Sequence, residues 1–216
     1  MNPSTSTASL LQTLAPIADP VVRLADGALL DYLLIELVPT LADSSSVASA
    51  RATHTENEMR AAGLLPARSA KDKDKEASDK EEDALRARLE AVGAHVGANL
   101  AERLSRDRAR FADTLDIIKF ICKDVWQAVW AKQIDNLRTN HRGVYVLQDN
   151  NFRPLSRISS HEGPQEAARR AKLYVAWSTG LIRGALARMG LQGTVIPEIP
   201  SLPQCTFQIK LPKGAS

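Results

Sequence analysis

The sequence predicts an α+β fold, with four main helices packed on a small antiparallel sheet. Three observations predict it. Apolar residues recur at helical spacing in the first 132 residues. The period then falls to two over Val144–Leu147 and again over Cys205–Leu211. Successive strands also lie too close in sequence for the crossover connections that parallel strands need.

Residues 1–20 hold Ser, Thr and Pro and read as a flexible tail, and 21–216 read as one domain. In the first helix, Leu30, Leu33, Leu34, Leu37 and Val38 mark one face, with Asp31 and Glu36 off it. Pro39 is expected to end this helix, because a residue preceding proline avoids the α region. Residues 42–82 read as a low-complexity, flexible insert. It begins with Ser44, Ser45 and Ser46 and closes on KDKDKEASDKEED, too polar to offset the entropy of ordering. The alternative for this segment is a solvated extension of the next helix.

The second helix is predicted over 82–105. Leu85, Leu89, Val92, Val96, Leu100 and Leu104 form its stripe, and Ser78 with Glu81 has capping-box spacing. Gly93 and Gly97 stand beside the stripe and each costs about 1 kcal/mol against alanine. They mark either a close backbone approach or a merely tolerated pair. The third helix, 111–132, is apolar around more than half its circumference, through Leu115, Ile118, Ile121, Cys122, Val125, Trp126 and Val129 with Ile117, Phe120 and Trp130. It is expected to be the central helix.

Strands are predicted near 134–139 and 144–148, with a third, irregular one at 152–158 because of Pro154. The fourth helix starts at Gly163-Pro164 and runs to about Met189, stopped by Gly190 or Gly193. Gly180 and Gly184 again stand four apart. Two final strands follow near 194–199 and 205–211.

Composition excludes several classes. With 216 residues, 44% hydrophobic and 25% charged, the chain can bury a core unaided. Two cysteines imply no disulfide framework. A net charge of +3 argues against a strong polyelectrolyte binder. Lys71–Asp83 holds four Lys against seven Asp/Glu, a local −3, which leaves the rest of the chain at +6. No apolar run reaches the roughly 20 residues that span a bilayer. The first 22 residues lack Lys and Arg, so a signal peptide would have no positive start. The expectation is a soluble intracellular protein.

Catalytic machinery is absent from the pattern. His54, His95, His141 and His161 lack partners at metal-ligand spacing, so no metal or other cofactor is implied. Cys122 and Cys205 fall on apolar faces and read as buried structural thiols. Arg103, Arg106, Arg108 and Arg110 form a basic cluster. It is a candidate contact with an acidic lipid surface or acidic partner, or else a solvated loop paired with Glu102, Asp107 and Asp113. No recognition helix or exposed stacking aromatic accompanies the arginines, so nucleic acid is not an expected partner. The leucine stripes of the first two helices exceed what a small sheet can cover, which points to an assembly subunit.

The segment LDIIKFICKDVWQAVWAKQIDNLRTNHRGVYVLQDNNFRPL, residues 115–155, resembles the subunit-six, "thirty-three" type of the TRAPP vesicle-tethering complex, within the Bet-three superfamily. GLIRGALARMGLQGTV (180–195) and PQCTFQIKL (203–211) look like the C-terminal helix and last strand of that family. LEAVGAHVGANLAERLSRDRARF (89–111) is similar to the superfamily's Gly-x-x-x-Gly helix. The resemblance covers 85–211 and the first helix, while the tail and insert depart from it.

The resemblance implies a Bet-three-like fold and a heterodimer with a Bet-three-type paralogue, formed largely through the first two helices. From the stripes, the contact set is Leu29, Leu30, Tyr32, Leu33, Leu37, Val92, Val96, Leu100 and Leu104. The resemblance further implies a non-catalytic scaffold, partnered by other TRAPP subunits and, through the complex, by a Rab GTPase. The chain would be cytoplasmic and peripheral at Golgi and ER–Golgi membranes. The paralogue's acylated cysteine has no counterpart, since residues 98–121 hold no cysteine. The rival readings are a peripheral membrane module using Arg103–Arg110 and an acyl-handling enzyme using Cys122.

Overall fold

A computed structural model of the chain describes residues 25–66, 75–140 and 143–212. The predicted tail, 1–20, lies outside the described residues. The chain divides into two compact units, 1–33 and 34–216. The described part of the first is a helix start. The Asp26 carboxylate accepts from the Ala28 N–H at 2.8 Å and its carbonyl from Leu29 N–H at 3.0 Å.

The first helix, α1 (Leu29–Ala61), does not stop at proline; it contains Pro39. An internal proline removes one hydrogen bond and costs about 3 kcal/mol. The apolar period nevertheless continues across it. Leu34, Val38 and Ser45 are buried on one side while Pro39 is exposed. Val38, with Leu37, Leu41 and Ala42, packs against Leu85, Leu89 and Ala176. Each such side chain withdrawn from water contributes about 1.5–3 kcal/mol, enough together to offset the lost bond. Residues 42–61, expected as part of the flexible insert at 42–82, therefore continue the helix. Gly63 ends it at φ 77°, donating to the Arg60 carbonyl while Leu64 donates to that of Met59.

The second helix, α2 (Lys75–Ser105), also begins earlier than expected. Ser78 lies inside it, so its spacing with Glu81 does not mark the start. The extension reading is the one realised for 75–82. The third predicted helix is three consecutive pieces: α3 (Thr114–Phe120), a π-helical turn (Ile121–Val125) and α4 (Trp126–Trp130). Asp113 caps α3, accepting from the Asp116 N–H at 2.7 Å. Within the π turn, the Cys122 carbonyl accepts from Ile134 N–H at 3.0 Å, anchoring the approach to the sheet.

Strands β1 (Asn136–Thr139) and β2 (Val144–Asp149) follow. Residues 152–158 form no strand; Arg153–Leu155 is a 3₁₀ turn, its bonds local where a strand would need a partner. Then come α5 (Pro164–Arg188), β3 (Thr194–Ser201) and β4 (Gln204–Lys210). The strand order is β1-β2-β4-β3, every pair antiparallel, as predicted. In β2 and β4, Leu147 faces Phe207 across the ladder, and Cys205, Phe207 and Ile209 are buried while Lys210 is exposed. This is the expected alternation. Gly190, at φ 83°, closes α5. Its N–H donates to the Ala187 carbonyl, and that of buried Leu191 to Leu186.

The central helix is α5, not the third predicted one. Every residue from Val175 to Ile182 is buried. Its sequence hides this, because Ala, Ser, Thr and Gly carry little hydrophobic signal. The α3–α4 segment keeps Lys119, Lys123, Gln127 and Ala128 exposed.

The small residues have a specific use. A β-carbon at Gly93 or Gly97 would collide with the Trp177 or Leu181 carbonyl, and one at Gly180 or Gly184 with that of Glu90 or Ala94. Helices α2 and α5 thus cross backbone to backbone through two Gly-x-x-x-Gly pairs, each filling the gap the other leaves. Of the two sequence readings, close approach is correct. Arg183–Glu90 at 2.8 Å and Arg188–Glu102 at 2.7 Å pair the same two helices.

Around this crossing, Trp126, Trp130, Phe152, Trp177 and Phe207 make a chain of stacked and edge-on rings 5.3–6.0 Å apart. The fully buried Asp149 carboxylate accepts from Trp126 Nε1 at 2.9 Å, Lys132 Nζ at 2.6 Å and the Asn151 N–H at 3.1 Å. Burial alone would lower the Lys132 pKa. Its hydrogen bonds to Asp149 and Asp135 reverse that and raise it.

Two stability outcomes are expected. Gly97→Ala or Gly184→Ala should cost about 1–3 kcal/mol, whereas Gly27→Ala, with open space around it, should stay within about 0.5 kcal/mol of wild type by chemical denaturation. Lys132→Met leaves the buried Asp149 charge without its cation and should cost about 3 kcal/mol, lowering Tm by about 6–12 °C in calorimetry.

Candidate interaction surfaces

Helix α2 presents two parallel lines of small or apolar residues, because positions four apart stack on one face. Leu85, Leu89, Gly93, Gly97 and Ala101 are buried and form the core-facing line. Val92, Val96, Leu100 and Leu104, predicted as contacts, form the neighbouring line. Val92 is 41% exposed and the other three are half-buried. The single stripe expected from sequence is therefore split, and the glycines divert α5 to one side of it.

The other predicted contacts fall in both units. In the first unit, Leu29, Tyr32 and Leu33 are each about 60% exposed and Leu30 is half-buried. In the second, Leu37 packs against the Val38, Leu85 and Leu89 cluster, which makes it a core-facing residue. Ile35, 39% exposed, lies outside the predicted contact set, although it adjoins the stripe member Leu34.

The basic cluster is partly paired. Arg103 lies in the last turn of α2. Arg106 approaches Asp107 at 3.6 Å. Arg108 is held at 3.1 Å by Asp124 and lies 5.2 Å above the Phe120 ring. Arg110 lines a hollow with Lys119 and Lys123 of the α3–π segment. Those lysines escaped sequence reading because the arginines lie on the preceding connection, and only the fold brings the two segments together.

Among the histidines, His54 approaches Glu58 at 3.6 Å, His95 lies 3.2 Å from the Asn99 amide and His161 is 3.9 Å from Glu162. His141 lies outside the described residues. Cys122 and Cys205 are both buried free thiols. Burial pushes Cys122 up to about 12, and burial together with the nearby Asp149 charge pushes Cys205 up further still. Both shifts disfavour the thiolate, the form that attacks an acyl group. Among the described residues no helix is long and apolar enough to cross a membrane.

Residues 30–212 match the family of the transport protein particle (TRAPP) component. Over 126 residues the chain is 52% identical to trafficking protein particle complex subunit 6B of Homo sapiens, covering 58% of this chain and 78% of the relative. It is 46% identical over 126 residues to human subunit 6A, covering 58% of this chain and 77% of that one. An uncharacterized protein of Schizosaccharomyces pombe is 34% identical over 181 residues, which is 84% of this chain and 62% of that protein. Among solved structures, a trafficking protein particle complex subunit 3 from Naegleria fowleri, covalently bound to palmitic acid, superposes with a TM-score of 0.50 at 14% identity. It covers 82% of this chain and 98% of that one. That likeness shows the Bet-three-like fold.

The thiol environment is checked by labelling. Cys122 and Cys205 should stay unmodified by a thiol reagent at neutral pH in the native protein and both react in denaturant. Rapid native labelling of Cys122 would restore the enzyme reading.

Proposed function

Since the chain belongs to the transport protein particle (TRAPP) component family, and is thereby a non-catalytic subunit of that tethering complex, we propose that it acts as a scaffold by pairing with a Bet-three-type paralogue. The observation that carries this reading is the incompletely covered apolar line of α2. Val92 is 41% exposed beside half-buried Val96, Leu100 and Leu104. A continuous aliphatic line on a rigid helix gains free energy when a complementary face removes it from water. Leu29, Tyr32 and Leu33 supply a second patch of the same chemistry, and the two patches are the proposed contact set.

In this reading the chain performs no bond-breaking step. Guanine-nucleotide exchange on a Rab GTPase is a property of the assembly, which this subunit supports by holding neighbours in register. Its place is the cytoplasmic side of Golgi and ER–Golgi membranes. The buried, protonated thiols support this non-catalytic role.

The test is a Leu33→Glu, Val96→Glu double variant. Leu33 is exposed and Val96 half-buried, both off the core-facing line, so the variant should keep its thermal unfolding transition. It should bind its paralogue about thirtyfold more weakly or worse, measured by co-purification from native extract with identification of the bound chains. Undiminished pairing of the folded variant would overturn the proposed contact set.

A further inference from the structure

We propose that the hollow between the α2–α3 connection and the π-helical turn is a binding site for the phosphorylated inositol headgroup of a membrane lipid. The hollow has a volume of about 340 Å³. Four cations line it: Arg108 and Arg110 from the connection, Lys119 and Lys123 from the helical segment. Only two carboxylates face them, Asp116 and Asp124.

The pairing is what leaves the site open. Asp124 is taken by Arg108 at 3.1 Å, and Asp116 lies 3.7 Å from Lys119. Arg108 also lies 5.2 Å from the centroid of the Phe120 ring. Arg110 and Lys123 are exposed and, among the described residues, have no carboxylate within ion-pair distance. The hollow therefore keeps two uncompensated cations beside two paired ones.

That charge excess suits a phosphate monoester. It carries close to two negative charges and three acceptor oxygens, which match the guanidinium fork and the ammonium donors. A diester lipid headgroup offers fewer charges to the same cations. Arg103 and Arg106, just upstream in the chain, add attraction toward an anionic bilayer without lining the hollow. The inference rests on the reading of Arg103–Arg110 as a contact with an acidic surface and sharpens it to a ligand class and a different residue set. It is independent of the pairing with a paralogue.

The experiment is vesicle flotation of the full chain. One set of vesicles carries a phosphatidylinositol bisphosphate, and the other is matched in charge with phosphatidylserine. The bisphosphate vesicles should float the protein and the matched ones should not. Arg110→Glu with Lys123→Glu should lower the bound fraction about tenfold or more, Lys123→Gln should lower it partly, and Arg103→Glu should retain most of it. Soluble inositol trisphosphate should compete in the wild type. Circular dichroism establishes that the variants are folded.

Equal binding to both vesicle types would overturn the headgroup site while leaving a diffuse acidic-surface contact standing. No binding to either would overturn both. Binding of the soluble trisphosphate without flotation would overturn the lipid as its source. Capture of a polyglutamate peptide in place of vesicles would assign the hollow to an acidic protein segment instead.

Discussion

The contact on which the rest of this structure depends is the crossing of α2 and α5 at their glycines. Side chains at Gly93, Gly97, Gly180 and Gly184 would strike the opposite backbone, so the absence of four β-carbons sets the distance between the two helices. Close approach brings many atoms into van der Waals contact at once, and each adds only about 0.1–0.2 kcal/mol. The glycines weaken each helix taken alone, so the crossing stabilises the fold only as a pair. The ion pairs Arg183–Glu90 and Arg188–Glu102 further link the same helices.

The consequences reach both the core and the surface. Because α5 lies against the glycine line of α2, its other sides are free to receive β3 and the aromatic chain through Trp177 and Trp130. Because α5 covers only the Leu85–Ala101 line, the adjacent Val92–Leu104 line is left partly uncovered. The interior thus accounts for the surface: the same choice of small residues that builds the core leaves an aliphatic line beside it. Asp149 plays the corresponding part at the other end of the core, gathering a Trp, a Lys and a backbone N–H around one buried charge. A buried carboxylate with every partner in place favours one arrangement of the α4–β1–β2 junction over any alternative.

Much of the fold was legible in the sequence where the signal is local. The alternation in β4, the β2 run, the proline and glycine that bound α5 and the buried thiols all follow from patterns spanning a few residues. The readings that failed depended on distant partners. Pro39 reads as a stop until Leu85 and Ala176 are seen to reward its crossing. Residues 152–158 read as a strand, yet Phe152 N–H reaches the Pro203 carbonyl alone and the bonds of Leu155, Ser156 and Ile158 close local turns. The stripe of α2 reads as one face, but only the position of α5 divides it into a buried line and an accessible one. The basic cluster was visible as four arginines, and its lysines were not, because Lys119 and Lys123 join it only through the fold.

The sequence by itself determined the α+β class, the antiparallel pairing, the non-catalytic chemistry and the family, because each is written in short-range periodicity or in contiguous motifs. Tertiary structure alone decided which helix is central, how far α1 and α2 extend, and which apolar and basic residues stay accessible. Those properties are differences between buried and exposed free energies, and they have no value until the partner surface of each residue is in place.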